Sequence, residues 1–478
     1  MAGCRKISLE RLRQLAYLFR YIFLPNLIFG VLSTVVTTSR AWINIDYCLV
    51  GLLSPLIGRY WAAAIYLLLF ILDLVTTFTP TYHLKPVILL TIFRELSAFD
   101  PIYLVLLLLL VMIPLLIMWF AILKKEPAPR GLKGLQGRVV LLVAPLCLIA
   151  TDMLNGSNTL VHVRDNPVIN YNIAGSALVK TVRDINTLTT KGKSSTKPLG
   201  PGEYATSGLW KELKAGDRLT QNIVLVIVES WGISSDSLLN QAIVSPLTST
   251  EIGSRYNLKS GKIPFHGATV SAEIRELWGI RATSPNNVAS QQSLPAMLVL
   301  KGFQTVSMHG FMPTFFGRNE WYPQAGFEKS LFFDNIDNML PDHEKCGSPM
   351  FRGICDDRIP SLIRQMLVSQ EAPHHSKFIY WLTLNSHYPF AAPEHKTLFK
   401  CDKYALSAQH QDICNLSSTI YSTLSALGSL AADPTIPPTR FIVVGDHSPP
   451  FLMRSKDGLY DKKFVPLVEL IPNSSMRH

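Results

Sequence analysis

Asn222-Ile-Val-Leu-Val-Ile-Val-Glu-Ser230 is the stretch from which the rest of the chain can be read. Its six consecutive apolar residues, mostly β-branched, predict a strand buried on both faces, as in a parallel sheet flanked by helices. The run stops at a carboxylate, Glu229, and the breaker-like Trp231-Gly232 follows. In open α/β sheets ligands bind beyond the carboxyl ends of the strands, so Glu229 stands where a metal-binding or reacting group belongs. Three later runs share this grammar: Gln304–His309, Phe378–His387 and Arg440–His447 each read as a strand that delivers a His, or an Asp-His pair, where the apolar pattern ends. Between them lie helical stretches at Gln291–Lys301, Pro360–Ser369 and Ile420–Ala432, the alternation of a mostly parallel α/β sheet from Asn222 to about Ile471.

Upstream the chain changes character. Of its 478 residues 48% are hydrophobic and only 17% charged, and the first third accounts for that balance. Apolar segments at Leu15–Val36, Ile45–Ile57, Tyr60–Phe78, Ile102–Leu123 and Val139–Leu154 are expected to span a membrane. The division between Ile57 and Tyr60 follows from charge. Both the N-terminus, with Arg5, Lys6, Arg11 and Arg13, and the loop Lys124–Arg138 are basic, so both should face the cytoplasm, and an even number of crossings must separate them. Five helices result, with everything after Leu154 outside the cytoplasm. Pro86–Leu96 is apolar but too short to cross, and reads as an interfacial helix. The net charge of +11 clusters beside apolar segments, which points to topology and anionic lipid rather than to nucleic acid. Residues 155–221 form a polar linker, with Val168–Asn186 a candidate amphipathic helix along the membrane surface. Four of the seven cysteines, Cys346, Cys355, Cys401 and Cys414, form two close-spaced pairs, compatible with two disulfides in an oxidising compartment.

Glu229, Asp446 and His447 offer the mixed oxygen and nitrogen donors that suit one divalent cation, Zn²⁺ or Mn²⁺ with Mg²⁺ as a further option. A nucleophile is also needed. Ser230 is adjacent, but alternation along a strand turns it away from Glu229. Thr269 and Ser271, in His266-Gly-Ala-Thr-Val-Ser-Ala-Glu273, open a helical run, where a hydroxyl meets unpaired N–H groups and the positive end of the helix dipole. Ser271 is the better N-cap of the two. Glu273 and Arg275 read as a helix-start charge and its solvated partner. Asp356 and Asp357 either line the site or cap a helix, and His374-His375 read as solvated loop residues.

A strand ending in Val-Glu-Ser, a Gly-x-Thr loop about 40 residues later and a late Gly-Asp-His resemble the alkaline-phosphatase/sulfatase superfamily. More narrowly, the chain is similar to membrane-anchored phosphoethanolamine transferases and lipoteichoic acid synthase-type phosphoglycerol transferases. That resemblance implies five N-terminal helices (residues 1–154), a linker (155–221) and a sulfatase-like catalytic domain (222–478) outside the cytoplasmic membrane of a bacterium. It implies Glu229, Thr269, Asp446 and His447 as metal ligands, Thr269 being also the nucleophile. In Met308-His-Gly-Phe-Met-Pro-Thr-Phe-Phe-Gly-Arg-Asn319 it implies that His309 and Arg318 hold phosphoryl or glycerol oxygens and that Phe316 lines the pocket. His387 matches a substrate-facing histidine. The implied activity moves phosphoethanolamine or phosphoglycerol from phosphatidylethanolamine or phosphatidylglycerol to a glycan or lipid acceptor, through a phospho-threonine. Hydrolysis by the same residues, or a tethered binding protein that has lost activity, are the alternatives. The Cys-x-Pro-x-Arg motif that sulfate-ester hydrolases convert to formylglycine is absent, and Cys346-Gly-Ser-Pro-Met-Phe-Arg352 has the wrong spacing for it.

Overall fold

The computed structural model describes residues 23–35, 43–78, 174–182 and, with short breaks, 196–473, together with isolated positions between 16 and 120. Val139–Leu154, Pro86–Leu96, the Lys124–Arg138 loop and His374-His375 lie outside the described residues, and Ile102–Leu123 is described only at isolated positions, which are helical. The described residues fall into two compact units, taken here one at a time.

In the first unit, helices α1 (Leu24–Val35), α2 (Asp46–Ile57) and α3 (Arg59–Phe78) pack around Phe29, Tyr47, Tyr66 and Phe70. Gly58 separates α2 from α3. Among the described residues one helix, Arg59–Thr77, is long and apolar enough to cross a membrane. Of the segment expected to form a helix over Val168–Asn186 only 174–182 is described, and there Ala174–Gly175 is a short strand parallel to Ile43–Asn44. Helix begins only at Ala177, because the Asp46 carboxylate accepts from Ser176 Oγ at 2.6 Å and from Leu178 N at 2.9 Å and caps it there.

The second unit is built on a seven-stranded sheet. Its strands are β1 (Asn222–Val228), β2 (Tyr256–Pro264), β3 (Gln304–His309), β4 (Lys329–Leu331), β5 (Lys377–Leu382), β6 (Thr439–Gly445) and β7 (Phe464–Pro472), in the spatial order β2-β7-β6-β1-β5-β3-β4. The run from β6 through β1, β5 and β3 to β4 is parallel throughout; β7 is antiparallel to both its neighbours. Every residue of β1 is buried, as its unbroken apolar sequence requires of the central strand. Helices α4 (Thr269–Trp278), α5 (Leu294–Leu300), α6 (Arg318–Gln324), α7 (Ile359–Val368) and α8 (Gln411–Ala432) belong to this unit. The last of these starts nine residues before the Ile420 expected from sequence. Part of the stretch read as linker is built in as well. Lys197–Pro198 pairs with Ile280–Arg281, and Leu209, Trp210 and Leu213 of the helix Ser207–Ala215 are core residues.

One strand is shorter than its sequence suggests. β5 ends at Leu382, so His387 is delivered by a turn five residues later and not by the strand itself. Asp356 holds that turn, accepting from Leu384 N at 2.9 Å and Asn385 N at 2.6 Å.

Candidate active site

Adjacent parallel strands place two acidic groups side by side. Gly445 pairs with Val228, so Asp446 and Glu229 leave the sheet together at the ends of β6 and β1. A Cβ on Gly445 would lie 2.0 Å from the Trp231 carbonyl oxygen, so only glycine allows this close approach. Thr269 arrives from the other direction as the first residue of α4. The N-cap there is Ala268, which offers no side-chain acceptor, and the helix presents its positive end uncapped.

Four groups meet here. Thr269 Oγ lies 3.1 Å from Glu229 Oε2, 3.0 Å from Asp446 Oδ2 and 3.4 Å from His447 Nε2. His447 Nε2 is 3.2 Å from Asp446 Oδ2 and 3.6 Å from Glu229 Oε1. Four donors bound tetrahedrally at about 2.0–2.1 Å from one cation would stand about 3.3–3.4 Å apart, so this cluster already has the dimensions of such a shell. The imidazole is turned the right way. Nδ1 lies 3.0 Å from the Ser448 carbonyl, which can only accept, so Nδ1 carries a proton and Nε2 is the nitrogen that would ligate a cation. The carboxylates are under electrostatic strain. Burial raises Glu229 to about 6. Asp446 is raised to about 7, by burial first and then by the charge of Glu229. A divalent cation among these donors fits the site.

Sequence reasoning misplaced two neighbouring serines. Ser230 does not turn away from Glu229. It adopts a left-handed backbone (φ 55°), donates Oγ–H to Glu229 Oε1 at 3.0 Å and its N–H to Asp446 Oδ1 at 2.8 Å. Alternation fails because the strand ends one residue earlier. Ser271 is no N-cap; it is the third residue of α4, its N–H bonded to the Ala268 carbonyl at 2.8 Å.

The residues expected to line the pocket are also near one another. His309 closes β3, buried, with Nδ1 3.1 Å from the Leu382 carbonyl. Its Nε2 is buried and has no hydrogen-bond partner among the described residues. Burial and then the Arg318 charge hold this imidazole well below the usual histidine range, so it is neutral. His387 is brought down to about 4 by burial, its Nδ1 2.7 Å from the Tyr388 carbonyl and its ring 3.8 Å from that of Phe351. Phe316, also left-handed (φ 57°), packs on Phe315 and under the Arg318 guanidinium, 5.4 Å from its ring centre.

Two charged residues prove to be structural parts of the site, contrary to their reading as solvated. Glu273 is fully buried and receives Arg318 Nη2 at 2.9 Å, Tyr322 Oη at 2.6 Å and Tyr380 Oη at 2.9 Å. Arg275, also buried, donates Nη2–H to the Gly445 carbonyl at 2.9 Å and Nε–H to Glu276 at 2.6 Å, tying α4 to the end of β6. A charge inside an amphipathic helix looks solvent-facing in sequence; only its distant partners show otherwise. Asp356 is raised to about 7 by burial and supports the His387 turn rather than joining the cluster. Disulfides join Cys346 to Cys355 and Cys401 to Cys414.

Several known proteins are similar to this chain. Lipoteichoic acid synthase 2 of Bacillus subtilis is 30% identical over 132 residues, a match covering 25% of this chain and only 18% of that relative. Among solved structures, a lipoteichoic acid synthase from Listeria monocytogenes is 16% identical, covering 60% of this chain and 71% of that one (TM-score 0.41). A phosphoglycerol transferase of Streptococcus pyogenes, in complex with sn-glycerol-1-phosphate, is 15% identical over 57% of this chain and 77% of its own (TM-score 0.38). The periplasmic domain of EcEptC from Escherichia coli, in complex with Zn, is 15% identical over 59% and 77% (TM-score 0.35). The sulfatase family model matches residues 221–465, which is just over half of the chain and holds all four clustered groups. The chain therefore belongs to the sulfatase family.

Proposed function

We propose that the chain is a metal-dependent transferase that moves phosphoethanolamine or phosphoglycerol from a membrane phospholipid to a hydroxyl of a cell-envelope glycan or lipid. The observation that carries this reading is Thr269 Oγ, a hydroxyl at an uncapped helix start, within 3.0–3.4 Å of two carboxylate oxygens and an imidazole nitrogen. Glu229, Asp446, His447 and Thr269 would hold one divalent ion, Zn²⁺, Mn²⁺ or Mg²⁺, which when bound lowers the hydroxyl's pKa and offsets charge on phosphoryl oxygens. Thr269 Oγ attacks the donor phosphorus, forming a P–O bond as the bond to the diacylglycerol oxygen breaks. Asp446 Oδ2 and Glu229 Oε2 are both placed to take the Oγ proton, and that proton passes, directly or through water, to the departing oxygen, so that diacylglycerol leaves as the alcohol. Arg318 lies close enough to both pocket histidines to depress their protonation and would bind the phosphoryl oxygens. An acceptor hydroxyl then attacks the phospho-threonine and regenerates Thr269.

Sulfate-ester chemistry through formylglycine has no residue to support it, since Cys346 is disulfide-bonded. We further propose five membrane spans with the catalytic unit outside the cytoplasm, where lipid head groups are presented and disulfides persist. Reporter fusions after Phe78 and Leu154 test that arrangement.

The central test is mass spectrometry of the full-length chain incubated with phosphatidylethanolamine and phosphatidylglycerol. We expect a phosphoethanolamine or phosphoglycerol adduct on Thr269, with release of diacylglycerol, and none in a folded Thr269→Ala variant. An adduct on Ser230 or Ser271, or no adduct with either lipid, would refute the mechanism.

A further inference from the structure

Glu273 stands one helical turn after Thr269 on α4, and its surroundings are unusual for a carboxylate that touches no reacting atom. It is 0% exposed, and its described partners are all donors: the Arg318 guanidinium and the hydroxyls of Tyr322 and Tyr380. Arg318, 1% exposed, is bound along one edge. Nε–H points at both Glu273 oxygens (3.3 and 3.2 Å), Nη2 donates to Oε2 at 2.9 Å, and Nη1 donates to the Phe315 carbonyl at 3.2 Å. Of the five N–H groups of a guanidinium, this leaves one on each terminal nitrogen for a ligand. The helix that carries the nucleophile therefore also sets where those two donors lie.

The pairing has a second consequence. Within the proposed reaction, a divalent cation is matched by Glu229 and Asp446, the two pocket histidines are neutral, and Arg318 is matched by Glu273. Paired in this way, Arg318 adds no net positive charge to the pocket before substrate arrives. Enclosing a monoanionic phosphodiester there is much less costly than enclosing a dianionic phosphomonoester, because the cost of desolvating an ion grows with the square of its charge.

We infer that Glu273 is a positioning residue that sets specificity: by fixing Arg318 and cancelling its charge, it tunes the pocket to phosphodiesters and against phosphomonoesters. This inference rests on the transferase reading and explains how a site of this kind would retain a lipid diester and disregard abundant monoesters.

The test compares the unaltered full-length chain with Glu273→Gln in detergent micelles at pH 8. The probes are bis(p-nitrophenyl) phosphate, a monoanionic diester, and p-nitrophenyl phosphate, a dianionic monoester. Each is read as a ligand, by the thermal shift it produces, and as a substrate, by nitrophenolate release. The amide keeps an acceptor for Arg318 but removes the cancelling charge, so preference for the diester should fall by roughly tenfold or more. A loss of equal size for both probes marks Glu273 as merely structural and overturns the inference, as does failure of the unaltered chain to bind either probe. If Glu273→Gln alone does not fold, Glu273→Gln with Arg318→Gln buries no unpaired charge and asks the same question. Both probes should then bind more weakly, with the preference kept within about twofold, because a neutral pair has replaced a neutral pair. A marked rise in diester preference would show that the Arg318 charge was never cancelled. The Thr269 adduct separates the two levels: no adduct removes the transferase reading, whereas a normal adduct with unaltered preference in Glu273→Gln removes only this inference.

Discussion

Without a cation among its clustered carboxylates, the stability of this protein should fall as pH rises, and the size of the effect can be worked from the two buried groups. Glu229 is raised from its ordinary 4.5 to about 6 and Asp446 from 3.8 to about 7, burial being the leading cause for each. A carboxyl group whose pKa is higher in the folded chain holds its proton more tightly when folded. Its contribution to stability is thus complete below the unfolded value and lost as pH climbs through the folded one. The window runs from about pH 4 to about pH 7. At 1.36 kcal/mol per pKa unit the individual figures are about 2 kcal/mol for Glu229 and about 4 kcal/mol for Asp446. The charge of Glu229 raises Asp446 while a hydrogen bond with Asp446 lowers Glu229, so the two titrations are not independent and about 4 kcal/mol is the working figure for the pair rather than their sum. For a domain of this size that corresponds to a fall in Tm of about 8–16 °C. A divalent cation removes the penalty by replacing the missing counter-charge, so stabilisation by Zn²⁺ or Mn²⁺ should be small near pH 5 and large near pH 8. Asp356, also raised to about 7, adds a loss over the same range; its leading cause, burial, is the same with or without metal and drops out of the difference, leaving only the smaller part due to Glu229. The assay is thermal unfolding of chelator-treated full-length protein from pH 5 to 8, with and without added metal. A metal increment that does not grow with pH would refute the reasoning, as would one unaltered in Asp446→Asn.

Two further outcomes follow from groups outside the cluster. Arg275→Met should cost about 3–5 kcal/mol, since it leaves the buried Glu276 without its counter-charge, the Thr206 N–H remaining, and frees the Gly445 carbonyl; chemical denaturation measures this, and a loss under 1 kcal/mol would show that α4 and β6 are held by other means. Asp356→Ala should lower Thr269 adduct formation severalfold while the metal still binds, because the turn carrying His387 loses its backbone acceptor. Unaltered adduct formation would remove Asp356 from any role in that pocket wall.

Much of this was legible in the chain before any coordinates. Buried parallel strands must be continuous apolar runs, so the ends of β1, β3 and β6 announce themselves, and with them Glu229, His309, Asp446 and His447. Membership of the sulfatase family was readable from the same residues with Thr269. That β6 lies directly beside β1, with β3 beyond β5, and that Thr269 meets Glu229 and Asp446, was a matter of topology.

What only the tertiary structure decided lies in the charges, the turns and the uncovered lone pairs. Glu273 and Arg275 are drawn from residue types that are usually solvated, and nothing local distinguishes them. Their partners are Arg318, 45 residues on, and the Gly445 carbonyl, 170 residues on. Ser230 faces the cluster because β1 stops at Val228 and the backbone then turns left-handed, which no periodicity records. Which nitrogen of His309 and His447 carries the proton depends on a carbonyl that folding places beside it. Local pattern determines which residues a strand or helix buries, since that depends on neighbours in sequence. Ionisation, tautomer and ion pairing depend on neighbours in space, and those the chain acquires only by folding.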